Sequence, residues 1–207
     1  ATSADGPGNI YNGVAVATNP GAKSKGTLVC LNDEFHNARN VVKTDTTSVQ
    51  TFRSVNRGPA GLVHTGKVTW FEPMDRKLGK ATPFSANGLA RLPRVDVIYA
   101  HANMSADLID AAVRNGAKGL VVAGVGDGNM TTPALEALKA AAKGGVVVVR
   151  STRLPEGIVL RNNEVNDDEM RFVASGELNP AKSRVLLQLA LTKTTDPVQI
   201  QRMFYEY

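Results

Sequence analysis

The feature that most constrains this chain is a regular alternation of apolar and amphipathic segments that begins near residue 95. Short apolar runs occupy 95–99, 120–123 and 146–149, with the length and composition of buried strands. Between them lie two stretches in which apolar residues recur at helical spacing. This strand–helix–strand–helix–strand order predicts a parallel sheet with helices on both faces, because parallel neighbours need a crossover between them.

The helices of this region carry start and stop signals. Ser105 is predicted to cap the first helix, whose apolar stripe includes Leu108 and Ile109 and which ends at Gly116. Three pairs of a polar residue and a proline predict further helix starts, with the polar residue as the cap, because proline suits the first helical position. These pairs are Thr132-Pro133, Asn179-Pro180 and Asp196-Pro197.

The residues before 72 give a less regular pattern. Thr65-Gly66 separates two apolar runs and predicts a hairpin turn, because glycine tolerates a positive φ. Residues 72–93 contain three prolines and mixed charges without a persistent period, which is typical of a linker. The elements predicted before this linker are a helix at 9–18, a strand at 27–31, an extended segment at 41–44 and hairpin strands at 61–64 and 67–71.

Composition excludes several classes of protein. With 207 residues, 43% of them hydrophobic and 21% charged, the chain can bury a full core and is not a disordered sequence. No apolar run approaches the ~18 residues that a membrane-spanning helix needs. The single cysteine, Cys30, excludes an internal disulfide and a cysteine metal cluster. The net charge of +5 is scattered and only 5% of residues are aromatic, which argues against a nucleic-acid groove.

Two of the predicted strands end in polar residues, where parallel sheets bind their ligands. The glycine-rich turn at 124–129 has three interpretations. One is a nucleotide site with Arg150 on the 2′-phosphate of NADP, although the dinucleotide fingerprint would need glycine at Asn129. Another is a small-molecule site built on the side chains of Asp127 and Asn129. The third is a tight turn that needs glycines for steric reasons alone.

Two charged residues lie in patterns that suit catalysis or binding. Lys43, between apolar and hydroxyl residues, is a candidate proton acceptor if burial lowers its pKa, and otherwise an exposed lysine on a strand. Glu164, in the acidic segment 161–169, is a candidate for holding a substrate ammonium or a cation, and otherwise part of a solvated loop.

The histidines and the nucleophile give weaker signals. His36, His64 and His101 are not at metal-ligand spacing, so no metal site is predicted and they are interpreted as structural residues. No Gly-x-Ser-x-Gly nucleophile elbow is present, and spacing alone does not identify a nucleophile.

Several motifs in order give the chain a resemblance to the C-terminal part of bacterial type II L-asparaginases. The similarity covers essentially all 207 residues. The motifs are Ser3-Ala4-Asp5-Gly6-Pro7 with Asn9-Ile10-Tyr11-Asn12; Lys43-Thr44-Asp45-Thr46-Thr47 with Thr51-Phe52-Arg53-Ser54; 123–129; Val149-Arg150-Ser151-Thr152-Arg153; 164–168; Val173-Ala174-Ser175-Gly176; and Leu178-Asn179-Pro180 running into 184–192.

The resemblance implies hydrolysis of the side-chain amide of L-asparagine to aspartate and ammonia, with lesser activity on L-glutamine and no cofactor. Lys43 stands at the position of the lysine that assists proton transfer in the family. Glu164 stands at the acidic residue that meets the α-amino group of the substrate from a neighbouring subunit. Asn129 stands at a substrate-side position, where asparagine is typical of members that prefer L-asparagine. Asp127 departs from the asparagine of many relatives.

One part of the family pattern is missing. The family's threonine nucleophile lies in a Thr-Gly-Gly-Thr-Ile stretch, and a second threonine lies in a Gly-Thr-Asp-Thr stretch. Neither stretch occurs here, so both are expected upstream of Ala1. The absent initiator methionine agrees with a processed, trimmed or partial chain. The 207 residues alone are therefore expected to be inactive.

Together these observations predict an α/β, three-layer protein with a parallel sheet. Residues 1–71 are the remainder of an N-terminal domain, 72–93 a linker, and 94–207 a smaller flavodoxin-like C-terminal domain. The resemblance further implies a homotetramer with shared sites, located in the periplasm or secreted. Composition, as argued above, predicts no nucleic-acid or membrane partner. Two alternatives remain open: a non-catalytic truncated fragment, and an NADP-binding α/β module.

Overall fold

The computed structural model describes residues 5–71, 76–85, 87 and 91–207. The chain divides into two compact units, Ala1–Thr82 and Pro83–Tyr207. Parts of the predicted linker, at 72–75, 86 and 88–90, lie outside the described residues, as do Ser3 and Ala4 of the first motif.

The described part of the first unit combines one long helix with an antiparallel sheet. The predicted helix at 9–18 is confirmed, although it begins four residues earlier, at Asp5. The sheet order is β1-β2-β5-β6, and β3 pairs separately with β4. The elements are α1 (Asp5–Thr18), β1 (Leu28–Leu31), β2 (Glu34–Asn37), β3 (Val42–Lys43), β4 (Phe52–Arg53), β5 (Gly61–His64) and β6 (Lys67–Trp70), with a 3-10 turn at Pro20–Ala22.

One tight turn and one aromatic pair are central to this sheet. The predicted turn at Thr65-Gly66 is confirmed, with φ of 48° and 78° at its two residues. In the core, the rings of Phe35 and Trp70 meet edge to face with centroids 4.6 Å apart. A Cβ atom on Gly61 would lie 2.2 Å from Phe35 Cζ, so the strand passes this ring only because residue 61 has no side chain.

The second unit has the predicted architecture. Its four strands form one parallel sheet in the order β10-β9-β8-β7. Crossover helices connect the strands, which confirms the strand–helix alternation. The elements are β7 (Val95–Tyr99), α2 (Asp107–Arg114), β8 (Gly119–Gly124), α3 (Thr132–Lys143), β9 (Val147–Thr152), α4 (Asp167–Met170), β10 (Phe172–Ala174), α5 (Pro180–Ala190) and α6 (Pro197–Glu206).

Successive residues of the central strand point to opposite faces and enter two separate cores. Leu120 and Val122 pack with the core that contains α2 and α3, whereas Val121 packs with the core that contains α5 and α6. Because both faces are covered, the strands are continuous apolar runs, and the unit has three layers. Within the described residues, no helix combines the length and apolar character needed to cross a membrane.

The predicted helix starts were partly wrong by one residue. The cap of α2 is Ala106, although the Ser105 hydroxyl still accepts from Asp107 N at 3.4 Å. The cap of α3 is Thr131, whose backbone is extended, and Thr132 is already helical. Leu108 was also wrongly placed in the buried stripe, since it is 61% exposed.

The two remaining predicted helix starts are confirmed by their hydrogen bonds. The Asn179 side chain accepts from Lys182 N, and the Asp196 side chain accepts from Val198 N.

Candidate active site

Two residues predicted to face substrate meet at the carboxyl end of the parallel sheet. Asn129 ends the turn that follows β8, and Glu164 lies in the segment before α4. The Asn129 Nδ2 donates to Glu164 Oε2 at 3.1 Å, across 35 residues of sequence. Both side chains are exposed to solvent. A carboxylate and an amide are thus presented together at the edge where parallel sheets bind ligands.

The glycine-rich turn is shaped by close packing of its own backbone. Val125 and Asn129 exchange two backbone hydrogen bonds of 2.8 Å, which close the turn. A Cβ atom on Gly124 would lie 2.5 Å from the carbonyl carbon of Gly128. Gly126 and Gly128 have φ of 54° and 78°, a region that favours glycine. Steric need therefore accounts for the three glycines without a bound phosphate.

Asp127 joins this turn to the following loop. Its Oδ1 accepts from Leu160 N at 2.7 Å, and its Oδ2 accepts from Asn163 Nδ2 at 2.6 Å. Both carboxylate oxygens thus hold the loop that carries Glu164. The Asn129 Oδ1 accepts from Met130 N at 2.7 Å, which leaves the amide nitrogen directed to Glu164.

Arg150 lies beneath both segments, and its burial argues against the contact with an NADP phosphate that one interpretation of the turn requires. The side chain is 0% exposed. Its Nε and Nη2 donate to the two carboxylate oxygens of Asp167, each at 2.7 Å. Its Nη1 donates to Asp127 O at 2.9 Å, and Nη2 also donates to Leu160 O at 3.0 Å. A guanidinium that is buried and neutralised in this way has no face left for a ligand phosphate.

The acidic segment around Glu164 is internally bonded rather than a freely solvated loop. Arg161 donates to Phe172 O at 3.0 Å and forms an ion pair with Asp168. Asn162 Nδ2 donates to Asp168 Oδ2 at 2.6 Å. The hydrogen bond from Asn162, followed by the contacts with Arg161, lowers the pKa of the Asp168 carboxyl. Glu164 is therefore presented on a structured loop.

Lys43 lies in the first unit, on β3, opposite Phe52 of β4. Its side chain is exposed in the described residues, so they do not supply the burial that was expected of a proton acceptor. The hairpin beyond it is well ordered by Asp45, whose Oδ1 accepts from Thr47 N at 2.8 Å and Ser48 N at 2.7 Å. These backbone hydrogen bonds, first from Ser48, lower the pKa of Asp45. The role of Lys43 in proton transfer stays a prediction.

His36 is more deeply placed than the sequence indicated. It is 1% exposed, with Nδ1 3.1 Å from Ser54 Oγ and Nε2 3.3 Å from Glu34 Oε2. Burial lowers the pKa of the imidazole, and the Glu34 carboxylate opposes this effect. Ser54 is itself buried, so among the described residues neither its hydroxyl nor the His36 imidazole is open to a substrate. Among the described residues, no group of three or more His, Cys, Asp and Glu side chains is placed to hold a metal ion.

The sequence pattern did not predict which residues hold the candidate site in place. It also did not predict what Asn9 and Asn12 of the first motif do. Asn9 Oδ1 accepts from Asn32 N at 2.9 Å, and Asn12 Nδ2 donates to Asp33 Oδ1 at 2.9 Å. These residues therefore hold a turn of the sheet. The signal for the buried Arg150 was its place directly after an apolar run, which the strand β9 continues.

Comparison with known proteins gives matches over both units. Residues 1–76 match the family described as "Asparaginase, N-terminal". Residues 94–204 match the "Glutaminase/Asparaginase C-terminal domain".

Individual relatives match over almost the whole chain. The chain is 48% identical to L-asparaginase 2 of Escherichia coli K12 over 205 residues, which are 99% of this chain and 59% of that protein. The same figures hold for the probable periplasmic L-asparaginase of Haemophilus influenzae. Identity to the glutaminase-asparaginase of Pseudomonas fluorescens is 39%, over 100% of this chain and 57% of that protein.

The chain thus spans less than two thirds of the length of these relatives. Its fold has the mixed α/β arrangement with a parallel four-stranded sheet. Two matched family regions and 48% identity over nearly every residue place the chain in the asparaginase family of amidohydrolases.

Proposed function

We propose that the protein carrying this chain hydrolyses the side-chain amide of L-asparagine to L-aspartate and ammonia, with lesser activity on L-glutamine. The observation that carries this proposal is the contact between Asn129 and Glu164 at the carboxyl end of the sheet, in a chain 48% identical to L-asparaginase 2. The similarity to glutaminase-asparaginases supports the second substrate.

Glu164 binds the α-ammonium group of the substrate in this proposal. An exposed carboxylate on a structured loop can form charge-assisted hydrogen bonds with an ammonium, which selects α-amino acids over other amides. Asn129 lies beside it, and its amide offers a further polar contact to substrate.

The attacking group is a threonine in a segment upstream of Ala1. Its hydroxyl oxygen attacks the amide carbon, the carbon–nitrogen bond breaks and ammonia leaves after accepting a proton. Water then hydrolyses the ester, releases aspartate and restores the threonine. Lys43 acts in these proton transfers, together with a second threonine and an aspartate that also lie upstream. The 207 residues alone are therefore inactive.

The assembly and location follow from the same similarity. The protein forms a homotetramer in which Asn129 and Glu164 reach a site completed by a neighbouring subunit. It acts in the periplasm or outside the cell, which is supported by the probable periplasmic L-asparaginase of Haemophilus influenzae among its relatives. Its partners are small-molecule substrates, with no cofactor.

The role of Glu164 is tested with a substrate that lacks the α-ammonium group. The assay uses a fusion protein. It places, directly before Ala1, the part of the Escherichia coli relative that this chain does not match, and its release of ammonia is measured. Glu164→Gln should raise the KM for L-asparagine by about tenfold, because one charge-assisted hydrogen bond is weakened. Succinamate, which has no α-ammonium, should be hydrolysed equally by both forms. An equal loss on both substrates would contradict this role.

One observation bears on the alternative of a non-catalytic fragment. Ile10 and Val14 on α1 are 71% and 58% exposed, and Tyr11 beside them is also exposed. An exposed apolar face of this kind suits a surface that another segment covers. The chain should then bind an apolar fluorescent dye more strongly than an ordinary folded protein of its size. Dye binding at the ordinary level would count against this alternative.

A further inference from the structure

The two substrate-facing residues lie on separate segments, and their own contact is not enough to hold these segments in place. Asn129 belongs to the turn after β8, and Glu164 belongs to the loop between β9 and α4. A single hydrogen bond of 3.1 Å between two exposed side chains does not fix their positions, because water competes for both groups. The position of the Glu164 carboxylate therefore depends on other links between the turn and the loop.

Asp127 and Asn163 supply such a link beside both residues. Asp127 stands two positions before Asn129, and Asn163 stands directly before Glu164. The Asn163 Nδ2 donates to Asp127 Oδ2 at 2.6 Å, and Leu160 N donates to the other carboxylate oxygen at 2.7 Å. Both are hydrogen bonds to an ionised acceptor, the stronger class.

The backbone that carries this link is bonded to a buried side chain. Arg150 donates from one guanidinium to the carbonyl oxygens of Asp127 and Leu160, at 2.9 Å and 3.0 Å. The same guanidinium is held by the buried carboxylate of Asp167. The backbone at Asp127 and Leu160 is thus fixed, and the Asp127 carboxylate extends this fixed base to the residue next to Glu164.

We propose that Asp127 and Asn163 form a clamp that positions Glu164 against Asn129 and so sets the affinity for the α-ammonium of the substrate. Asp127 and Asn163 are positioning residues, since they act through Glu164. The functional part rests on the proposed asparaginase activity, whereas the geometric part is measurable on the 207-residue chain.

The geometric part is tested by the side-chain amide signals of Asn129 in a ¹⁵N-labelled chain. Glu164→Ala gives the reference position of these signals without the contact. Asn163→Ala removes one exposed amide and should move the Asn129 signals most of the way to that reference. Asp127→Ala should do the same, and Glu156→Ala, an exposed carboxylate elsewhere on the segment after β9, should leave them in place. Unchanged Asn129 signals in Asn163→Ala would overturn the clamp.

Exchanging the two side chains provides a rescue test. Asn163→Asp places two carboxylates face to face and should displace Glu164, because like charges at this distance repel. The double variant Asp127→Asn with Asn163→Asp restores an amide opposite a carboxylate, and its amide oxygen still accepts from Leu160 N. The double variant should return the Asn129 signals towards the wild-type position. If it resembles Asn163→Asp instead, the side-chain pairing has no positioning role.

The functional part is measured in the fusion described above. Asn163→Ala should raise the KM for L-asparagine by about tenfold and leave kcat unchanged, because it weakens binding through Glu164 alone. The exchanged double variant should recover most of the affinity. An inactive wild-type fusion would contradict the proposed function, while the amide signals would still decide the clamp. A fall in kcat with unchanged KM would overturn the assignment to substrate binding.

Discussion

The guanidinium of Arg150 and the carboxylate of Asp167 form a two-point ion pair with both side chains fully buried. Each of the two nitrogen–oxygen distances is 2.7 Å. Asp167 Oδ2 also accepts from Asn162 N at 2.8 Å, so the pair reaches the loop of Glu164 as well as the glycine-rich turn. The sheet end is therefore organised around a buried charge pair whose hydrogen bonds connect three separate segments.

Breaking this pair should strongly destabilise the second unit. Arg150→Met leaves the Asp167 carboxylate buried without its cation, which costs about 3–5 kcal/mol of unfolding free energy. Denaturant unfolding monitored by circular dichroism measures the change. Arg94→Ala, which removes an exposed pair with Asp96, is the matched control and should change little. Equal effects from the two variants would contradict the role of burial.

The glycine at the end of β8 should tolerate no side chain. Gly124→Ala places a Cβ atom 2.5 Å from the Gly128 backbone, and overpacking of this kind destabilises by about 1–3 kcal/mol. Gly13→Ala in α1 meets nothing within 4 Å and should instead stabilise by about 0.5–1 kcal/mol, because alanine favours a helix. In thermal unfolding, the melting temperature should fall for Gly124→Ala and rise for Gly13→Ala, relative to the unsubstituted chain. A neutral Gly124→Ala would exclude the steric interpretation of the turn.

The first unit should lose stability as the pH falls below about 6.5, the unperturbed histidine value. The pKa of His36 is lowered on folding because of burial, so the unfolded chain binds the proton more readily. The stability that depends on a neutral His36 is fully present above pH 6.5. It is lost as the pH falls towards the lower pKa that His36 has in the folded state. Denaturation midpoints between pH 7.5 and 5.5 test this trend.

Three variants identify the group responsible for this pH dependence. Glu34→Gln removes the carboxylate that raises the pKa of His36, so the loss of stability should become steeper. His101→Gln, which alters an exposed histidine, should leave the dependence unchanged. If His36→Gln retained the full dependence, another group would be responsible.

Lys43 should matter for activity and not for stability. Its side chain is exposed on a two-residue strand, so Lys43→Met should change the unfolding free energy of the chain by less than about 0.5 kcal/mol. In the fusion, the same substitution should abolish most of kcat, because proton transfer loses its group. Retained kcat would remove Lys43 from the mechanism.

Local sequence signals predicted the second unit well. The apolar runs of β8 and β9 and the caps at Asn179 and Asp196 depend on neighbours within a few residues, so they can be recognised from sequence. The observed cap of α3 lies one residue before the predicted one. The two adjacent threonines have the same hydroxyl group, and only the backbone angles distinguish Thr131 from Thr132.

Long-range partners could not be predicted in the same way. A ligand contact for Arg150 stayed open as one interpretation because its partner, Asp167, lies 17 residues away on a different element. The residues Asn129 and Glu164 were candidates from their places in the sequence, and the resemblance to a family gave them their roles. The clamp at Asp127 depends on a loop that only the fold brings near. Burial of His36 likewise depends on the packing of β2 within its unit.

Ammonia release from L-asparagine tests most directly whether the active site is divided between this chain and a segment upstream of Ala1. The pure 207-residue chain should release no ammonia above background. The fusion that adds the uncovered part of the Escherichia coli relative before Ala1 should release it, and Lys43→Met should abolish that release. Robust ammonia release by the chain alone would contradict an upstream nucleophile, and a folded but inactive fusion would contradict the asparaginase activity itself.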